Sequence, residues 1–154
     1  MRCNLKIKVL AKLTRGASLP KYATDGSAAV DLRAALEGGR ITVMPGARAM
    51  VPTGLAISPD TGCGNVVAVI AARSGLACRH GICLANGIGV IDSDYRGEIL
   101  VTLFNSSDVP FEIADGDRIA QMMFMPVMQA EFIAAETLDE TERGAGGFGH
   151  TGIK

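Results

Sequence analysis

Residues 86–97, NGIGVIDSDYRG, combine the residue types needed to bind a planar ligand and to activate a water molecule. Gly87 and Gly89 carry no side chain, so their backbone N–H and C=O groups could lie against the hydrogen-bonding edge of a base. Asp92 follows an apolar run, where its carboxylate could accept a proton from water, and Tyr95 could place its ring beside a sugar or a base. The same pattern is also compatible with an ordinary hairpin that has a polar tip.

The element that must position these residues is predicted to be a β-hairpin. Ile88, Val90 and Ile91 lie between glycines and lead into a polar segment, a pattern typical of a strand that ends in a turn. Asn86 opens the segment and can present both a donor and an acceptor, which suits either a turn or a base edge. The return strand is expected near Leu100.

A second group of residues, within residues 71–82 (AARSGLACRHGI), suits phosphate. Arg73 supplies a planar five-donor fork, Ser74 a hydroxyl that could cap a short helix, and Gly75 an exposed N–H group. The alternative is a capped helical turn with a surface arginine. His80 lies so close to Ser74 in the sequence that the geometry of a nucleophilic triad is not assured, and we interpret it as a structural histidine.

Two polar residues stand alone in predicted strands. Asp31 lies among small apolar residues in residues 27–35 (SAAVDLRAA), where it either bonds a nearby turn or belongs to a site. Gln121 is the polar exception in residues 117–127 (DRIAQMMFMPV), and an amide within such a run needs a partner. The neighbouring methionines are predicted to pack in the core: Met122, Met123 and Met125.

Residues 142–152, ERGAGGFGHTG, differ in character from the rest of the chain, because glycines surrounding one phenylalanine cannot build a core. One interpretation is a disordered end. The other is a lid that a ligand orders, in which Arg143 and Thr151 bind phosphate, Gly147 allows close backbone approach and Phe148 stacks on a base.

The body of the chain has the pattern of an all-β sandwich or barrel. Short apolar segments are separated by Gly, Pro, Asn and Asp, and no long segment has the 3.6-residue period of a helix, so helix should be scarce. An alternating N-terminal strand is expected at residues 5–9. The length suits one domain, residues 1–141, followed by a flexible glycine-rich lid, residues 142–154. The further predicted strands are residues 41–43, 47–51, 55–57, 65–70, 99–104, 111–113 and 119–125.

Composition limits the classes of function. Fifteen basic and sixteen acidic residues leave a formal net charge of −1, which gives no global electrostatic argument for nucleic acid or an anionic membrane. No apolar run approaches the roughly 18 residues that a membrane helix needs. Four cysteines without an export signal are expected to be reduced thiols, which indicates the cytoplasm. The spacing of Cys78, His80 and Cys83 matches no common zinc pattern.

Residues 89–98, GVIDSDYRGE, resemble the third motif of the trimeric dUTPase family, the deoxyuridine triphosphate nucleotidohydrolases. Four other segments described above resemble the remaining motifs in the same order, so the resemblance extends from about residue 28 to residue 152. It implies a jelly-roll-like β-barrel, a homotrimer with active sites at subunit interfaces, and Mg²⁺-dependent hydrolysis of dUTP to dUMP and pyrophosphate. That reaction limits uracil incorporation into DNA and supplies dUMP for thymidylate synthesis.

The resemblance also implies roles for individual residues. Asp92 would take a proton from water as the water attacks the α-phosphorus. Asp31 would hold Mg²⁺ through water, while the substrate phosphates supply most of the ion's ligands. Tyr95 would pack against the deoxyribose. The residues implied for the triphosphate are Arg73, Ser74, Gly75, Gln121, Arg143 and Thr151. Those implied for the base and the lid are Asn86, Gly89, Val90, Ile91, Leu100, Gly147 and Phe148.

Two alternative functions remain open at this point. A dCTP deaminase would share the fold and use a glutamate-assisted water on the base. A non-catalytic, nucleotide-binding regulatory trimer would bind dUTP but release no pyrophosphate. Tyr95 and the glycine-rich tail favour the hydrolase.

Overall fold

The computed structural model describes residues 7–60, 62 and 65–147. Within them, eleven strands and one seven-residue helix confirm the prediction of an all-β domain with little helix. No helix in this part of the chain is long and apolar enough to cross a membrane. The elements are β1 (Val9–Leu13), β2 (Val30–Arg33), β3 (Arg40–Val43), β4 (Arg48–Pro52), β5 (Leu55–Pro59), β6 (Val66–Ala71), α1 (Ser74–His80), β7 (Ile82–Leu84), β8 (Gly89–Ile91), β9 (Leu100–Asn105), β10 (Phe111–Ala114) and β11 (Arg118–Pro126).

The strands pair antiparallel in two larger and two smaller sheets. The largest sheet has the order β2-β11-β6-β8, and β9 lies between β4 and β7 in the three-stranded sheet. β1 pairs with β5, and β3 pairs with β10. Side chains from all eleven strands lie in one hydrophobic core or pack against it. Its most deeply buried large apolar side chains are Leu32, Val43, Val51, Ile82, Ile99, Leu103 and Ile113.

Each further predicted strand overlaps an observed one, but two details of the prediction are wrong. The N-terminal strand is Val9–Leu13 rather than residues 5–9, and residues 5 and 6 lie outside the described part of the chain. Met122 is buried as predicted, whereas Met125 is 48% exposed. The physical reason is that residues an odd number of positions apart point to opposite faces of a strand.

The predicted β-hairpin at residues 86–97 is also wrong. β8 pairs with β6, whereas β9 pairs with β4 and β7, so the two arms enter different sheets. Residues 92–99 therefore cross from one sheet to the other, and we call them the crossing segment. The cause is a contact between residues far apart in the sequence. Ile99, the last residue of the crossing segment, is completely buried and donates its N–H to the Leu55 carbonyl at 2.8 Å.

The Asp115 carboxylate ties the turn before β11 to the loop after β2. Its Oδ1 accepts the N–H of Leu36 at 2.7 Å, and its Oδ2 accepts the N–H of Gly38 at 3.1 Å. These backbone hydrogen bonds, above all the one from Leu36, lower the pKa of Asp115 below its ordinary value of 3.8. The ionised carboxylate therefore stabilises the folded chain.

Asp115→Asn should lower the thermal unfolding midpoint at pH 7. Because the folded-state pKa is depressed, the stabilisation is complete above the ordinary pKa and is lost as the pH falls through the folded-state pKa. The difference between variant and parent should shrink below about pH 4, which calorimetry at equal protein concentration would measure. Asp108→Asn makes the same charge change at an exposed position. Identical pH dependence for both variants would show that Asp115 has no special role.

Candidate active site

Asp31, Arg73 and Arg118 form the first cluster of candidate site residues. Arg73 Nε lies 2.9 Å from Asp31 Oδ1, and Arg118 Nη1 lies 3.3 Å from Asp31 Oδ2. Arg73 Nη1 also donates to the Arg118 carbonyl at 3.1 Å. The residues meet because β11, which begins at Arg118, pairs with β2 on one side and with β6, just before Arg73, on the other. We call Asp31, Arg73, Arg118 and Gln121 the phosphate-side cluster.

Gln121 joins this cluster from the middle of β11. It lies opposite Asp31 in β2 and opposite Ala71 in β6. Its Nε2 donates to the Ala72 carbonyl at 2.9 Å, so the half-buried amide has the partner that the sequence required. This bond fixes the end of β6 directly before Arg73.

Helix α1 places Arg73, Ser74 and Gly75 at one end, but Ser74 does not cap it. Arg73 occupies the N-cap position with an extended backbone, and no side chain caps the helix there. Ser74 is already the first helical residue, one position too late for a capping side chain. Its hydroxyl and Gly75 are exposed at the helix start, where they remain available to a ligand.

The other end of α1 is held by residues that the sequence did not single out. The Gly81 carbonyl accepts both the backbone N–H of Ser106, at 2.9 Å, and its hydroxyl, at 2.8 Å. Asn105 is completely buried and donates from Nδ2 to the Val43 carbonyl at 2.9 Å and the Val109 carbonyl at 2.8 Å. The helix that carries Ser74 and Gly75 is thus tied to a turn that is held by hydrogen bonds from the buried Asn105.

His80 contacts another aromatic ring at the end of α1 opposite to Ser74. Its ring lies at the last position of α1 with its centroid 5.2 Å from that of Phe111. Ser74 is at the first position of the same helix, about 9 Å away along the axis at 1.5 Å per residue. The two side chains do not form a nucleophilic pair.

The second cluster is a pocket of about 260 Å³ beside β8. It brings together five residues that the sequence assigned to base, sugar and water activation, along with two others. The lining residues are Val90, Ile91, Asp92, Tyr95, Glu98, Ile99 and Leu100. We call it the nucleoside-side pocket.

Asp92 and Tyr95 are fixed by local hydrogen bonds in the crossing segment. The Asp92 carbonyl accepts the Tyr95 N–H at 3.1 Å, while the Asp92 side chain is exposed. The Tyr95 hydroxyl donates to the Glu98 carbonyl at 3.1 Å, and the side chain is 44% exposed. An exposed carboxylate and a flat aromatic surface therefore share one opening.

Each of the two glycines of this region has a structural reason to be glycine. Gly87 has a φ of 75°, a left-handed turn conformation that glycine adopts readily, and follows the exposed Asn86. At Gly89 a Cβ atom would lie 3.0 Å from Ile70 Cβ. The missing side chain at Gly89 thus permits close packing on β6, in addition to any approach by a ligand.

The tail joins neither cluster within the described part of a single chain. Arg143 Nε donates to the Gly146 carbonyl at 2.8 Å, within its own turn, and Gly147 is exposed. Phe148 and Thr151 lie outside the described residues, so their predicted roles stay predictions. Arg118, in contrast, is not among the residues predicted from the sequence, although an arginine that begins a strand also containing Gln121 is a usable signal.

An all-β domain with two guanidinium groups around Asp31, and a separate pocket lined by an aromatic ring and a carboxylate, has the features that suit a nucleotide-binding protein. A family model described as dUTPase matches residues 15–152. The chain belongs to the dUTPase family.

Curated relatives are similar along nearly their whole length. The deoxyuridine 5'-triphosphate nucleotidohydrolase of Desulfitobacterium hafniense is 53% identical over 152 residues, which cover 97% of this chain and 98% of the relative. The protein of the same name from a Shewanella species is 46% identical over 156 residues and covers 100% of both chains.

Solved structures show the same fold. The dUTPase of Staphylococcus bacteriophage 80alpha with dUpNHpp has a TM-score of 0.83 at 23% identity and covers 95% of this chain and 99% of its own. A mutant dUTPase from phage phi11 of S. aureus, described for its coordination of a structural Mg(II) ion, has a TM-score of 0.74 at 20% identity and covers 88% of this chain and 100% of its own.

Proposed function

We propose that the chain hydrolyses dUTP to dUMP and pyrophosphate in the cytoplasm, and thereby limits uracil incorporation into DNA and supplies dUMP for thymidylate synthesis. The observation that carries this proposal is the nucleoside-side pocket, in which Asp92 and Tyr95 share one opening beside β8. Relatives at 53% identity that are named for this reaction support it.

β8 is well suited to bind a uracil edge. Among the described residues it is an edge strand of its sheet: Val90 and Gly89 lie opposite Val69 and Ile70 of β6, and no second strand pairs with it. Backbone N–H and C=O groups on the opposite side can pair with a planar ligand. Uracil offers one N–H donor between two carbonyl acceptors, which complements such an edge, and Leu100 on the pocket wall would leave no room for a 5-methyl group.

Asp92 then acts as the general base. It takes a proton from water, the water oxygen forms a bond to the α-phosphorus, and the bond from that phosphorus to the bridging oxygen breaks, so that pyrophosphate leaves with the electron pair. Arg73 and Gln121 supply donors for phosphate oxygens, and Ser74 and Gly75 add a hydroxyl and an N–H group at the start of α1. The protein contributes position and charge stabilisation.

The phosphate-side cluster fits Mg²⁺ held through water. Asp31 offers the hard oxygen ligand that this ion prefers, and a carboxylate bonded once at each oxygen by Arg73 and Arg118 keeps lone pairs for metal-bound water. Among the described residues no three His, Cys, Asp or Glu side chains form a metal site on their own. We therefore assign most of the ion's ligands to substrate phosphates and water. Bound Mg²⁺ would neutralise phosphate charge.

The function is tested by incubating the purified chain with dUTP, with and without Mg²⁺, and identifying the products by mass spectrometry. Equal amounts of dUMP and pyrophosphate are expected, and only with Mg²⁺. A parallel incubation with dCTP separates the alternatives, because a deaminase would form dUTP without releasing pyrophosphate. Folded protein that binds dUTP but releases nothing would be a regulatory binder, and the proposal would be wrong.

We further propose a homotrimer whose sites are shared between subunits. Residues 127–147 follow β11 without helix or strand, and their apolar side chains are exposed, Met128 to 97% and Phe132 to 95%. Burying such a side chain contributes on the order of 2 kcal/mol, so a neighbouring subunit is the expected cover. A segment that crosses to a neighbour would also carry Arg143 towards that subunit's site.

Sharing of sites predicts complementation between inactive variants. If Asp92 and Arg73 of one site come from different subunits, co-expression of Asp92→Asn and Arg73→Ala chains should restore activity, because about a quarter of sites in randomly mixed closed trimers would hold both native residues. Each variant expressed alone is the control. Sedimentation equilibrium should show trimers throughout. A fully active monomer, or trimers that never complement, would contradict the shared-site proposal.

A further inference from the structure

Gly97 leaves a gap that the Tyr95 ring occupies. A Cβ atom on Gly97 would lie 2.3 Å from the Tyr95 hydroxyl oxygen, 2.5 Å from Cζ and 3.0 Å from Cε2. Gly97 is not among the glycines with a positive φ, so its backbone conformation is open to other residues. Glycine is required here because the Tyr95 ring leaves no room for a side chain.

The backbone under the ring is itself anchored. The Tyr95 hydroxyl donates to the Glu98 carbonyl, and the Glu98 carboxylate accepts the N–H of Gly54 at 2.8 Å. Arg15 Nε lies 3.6 Å from the same carboxylate. The ring therefore lies across a short piece of chain that is tied to the residues just before β5.

We propose that Gly97 is a specificity-determining residue, whose missing side chain sets the depth at which the Tyr95 ring lies and so excludes a 2′-hydroxyl from the sugar site. This inference rests on the proposed function, in which Tyr95 packs against the deoxyribose. A flexible apolar pocket rejects an added hydroxyl by only about 10²-fold. Because the ring is backed by the chain at Gly97, it cannot retreat towards the backbone when a hydroxyl presses on it, and turning towards solvent would break its hydrogen bond to the Glu98 carbonyl.

A methyl group at Gly97 should move the ring and leave the fold intact. The atoms it would meet belong to the outer end of a side chain that is 44% exposed and can turn towards solvent. Gly26→Ala is the matched control, because Gly26 has no positive φ and a Cβ atom there has no neighbour within 4 Å.

The test compares kcat/KM for dUTP with that for UTP in the parent, Gly97→Ala, Tyr95→Ala and the double variant. Gly97→Ala should reduce the preference for dUTP by about 10-fold or more, towards the value of Tyr95→Ala. In the Tyr95→Ala background the Gly97 substitution should have no further effect, since there is no ring to displace. Gly26→Ala should keep the parental ratio.

A spectroscopic readout follows the ring directly. The chain has two tyrosines, so a Tyr22→Phe background leaves Tyr95 alone, and its near-ultraviolet circular dichroism should change on Gly97→Ala. If Gly97→Ala does not fold, the double variant with Tyr95→Ala should fold again, and failure to do so would refute a clash with the ring.

The outcomes separate this inference from the proposed function. If Tyr95→Ala changes the dUTP to UTP ratio but Gly97→Ala does not, Gly97 has no part in specificity and the inference alone is wrong. If neither substitution changes the ratio, the placement of Tyr95 against the sugar is wrong, and the inference fails with it.

Discussion

Asp92→Asn should lower kcat by roughly 10²–10⁴-fold while dUTP binding is largely retained. Asparagine keeps the shape and the hydrogen bonding of the side chain but cannot accept the proton of the attacking water. Steady-state release of pyrophosphate gives kcat, and calorimetry with a non-hydrolysable dUTP analogue gives the dissociation constant. The loss should therefore appear in the chemical step.

Asp94→Asn is the matched control for this substitution. It makes the same charge change two residues further along the crossing segment, at another exposed position. Near-parental kcat is expected for it. If Asp92→Asn is also within a few-fold of the parent, the proton goes to another group and Asp92 is not the base.

A chain that ends at Thr141 should fold, form trimers and bind dUTP, but hydrolyse it at least about 10²-fold more slowly. Fixing each residue of the glycine-rich tail in one conformation costs roughly 1–2 kcal/mol of conformational entropy. Contacts of the tail with the phosphates and the base would offset this cost. Closure over the triphosphate excludes water and strengthens each charge interaction, so its effect falls on turnover.

The control for this truncation is a chain that ends at Gly152, which removes only Ile153 and Lys154. It should keep the full rate. Phe148→Ala in the full-length chain tests the stacking contact separately. Its rate of dUTP hydrolysis should lie between the rates of the two shortened chains. A chain ending at Thr141 that hydrolyses dUTP at the full-length rate would show that the tail is no lid.

Much of the fold could be predicted from local pattern, because alternation of apolar residues fixes which side of a strand is buried. The pairing of strands could not be predicted in this way, because it depends on contacts between residues that are far apart in the sequence. Residues 86–97 looked like a hairpin because Gly87 and the polar tip favour a turn. The burial of Ile99 beneath the start of β5 directs the return strand into another sheet.

The candidate site was predictable to the extent that each side chain carries its own chemistry. Arg73, Asp92 and Tyr95 stand out by type and spacing, and the structure places each in one of the two clusters. Arg118 and Asn105 act through tertiary partners, a carboxylate on β2 and carbonyls on distant strands. Such residues cannot be singled out until the sheets that bring their partners together are known.

The position of the crossing segment between two sheets also affects which parts of such a site can accept amino-acid changes. The phosphate-side cluster rests on strands in fixed register, with Gln121 opposite Asp31 and Ala71. Residues 92–99 lie between two strands of different sheets and belong to neither ladder, so strand pairing does not set their number. Insertions or replacements after Asp92, in residues 93–98, would change the chain around Tyr95 and leave both Asp92 and the phosphate-side cluster in place. If the proposed roles hold, substrate preference could diverge within this fold through one loop that does not include the proposed base.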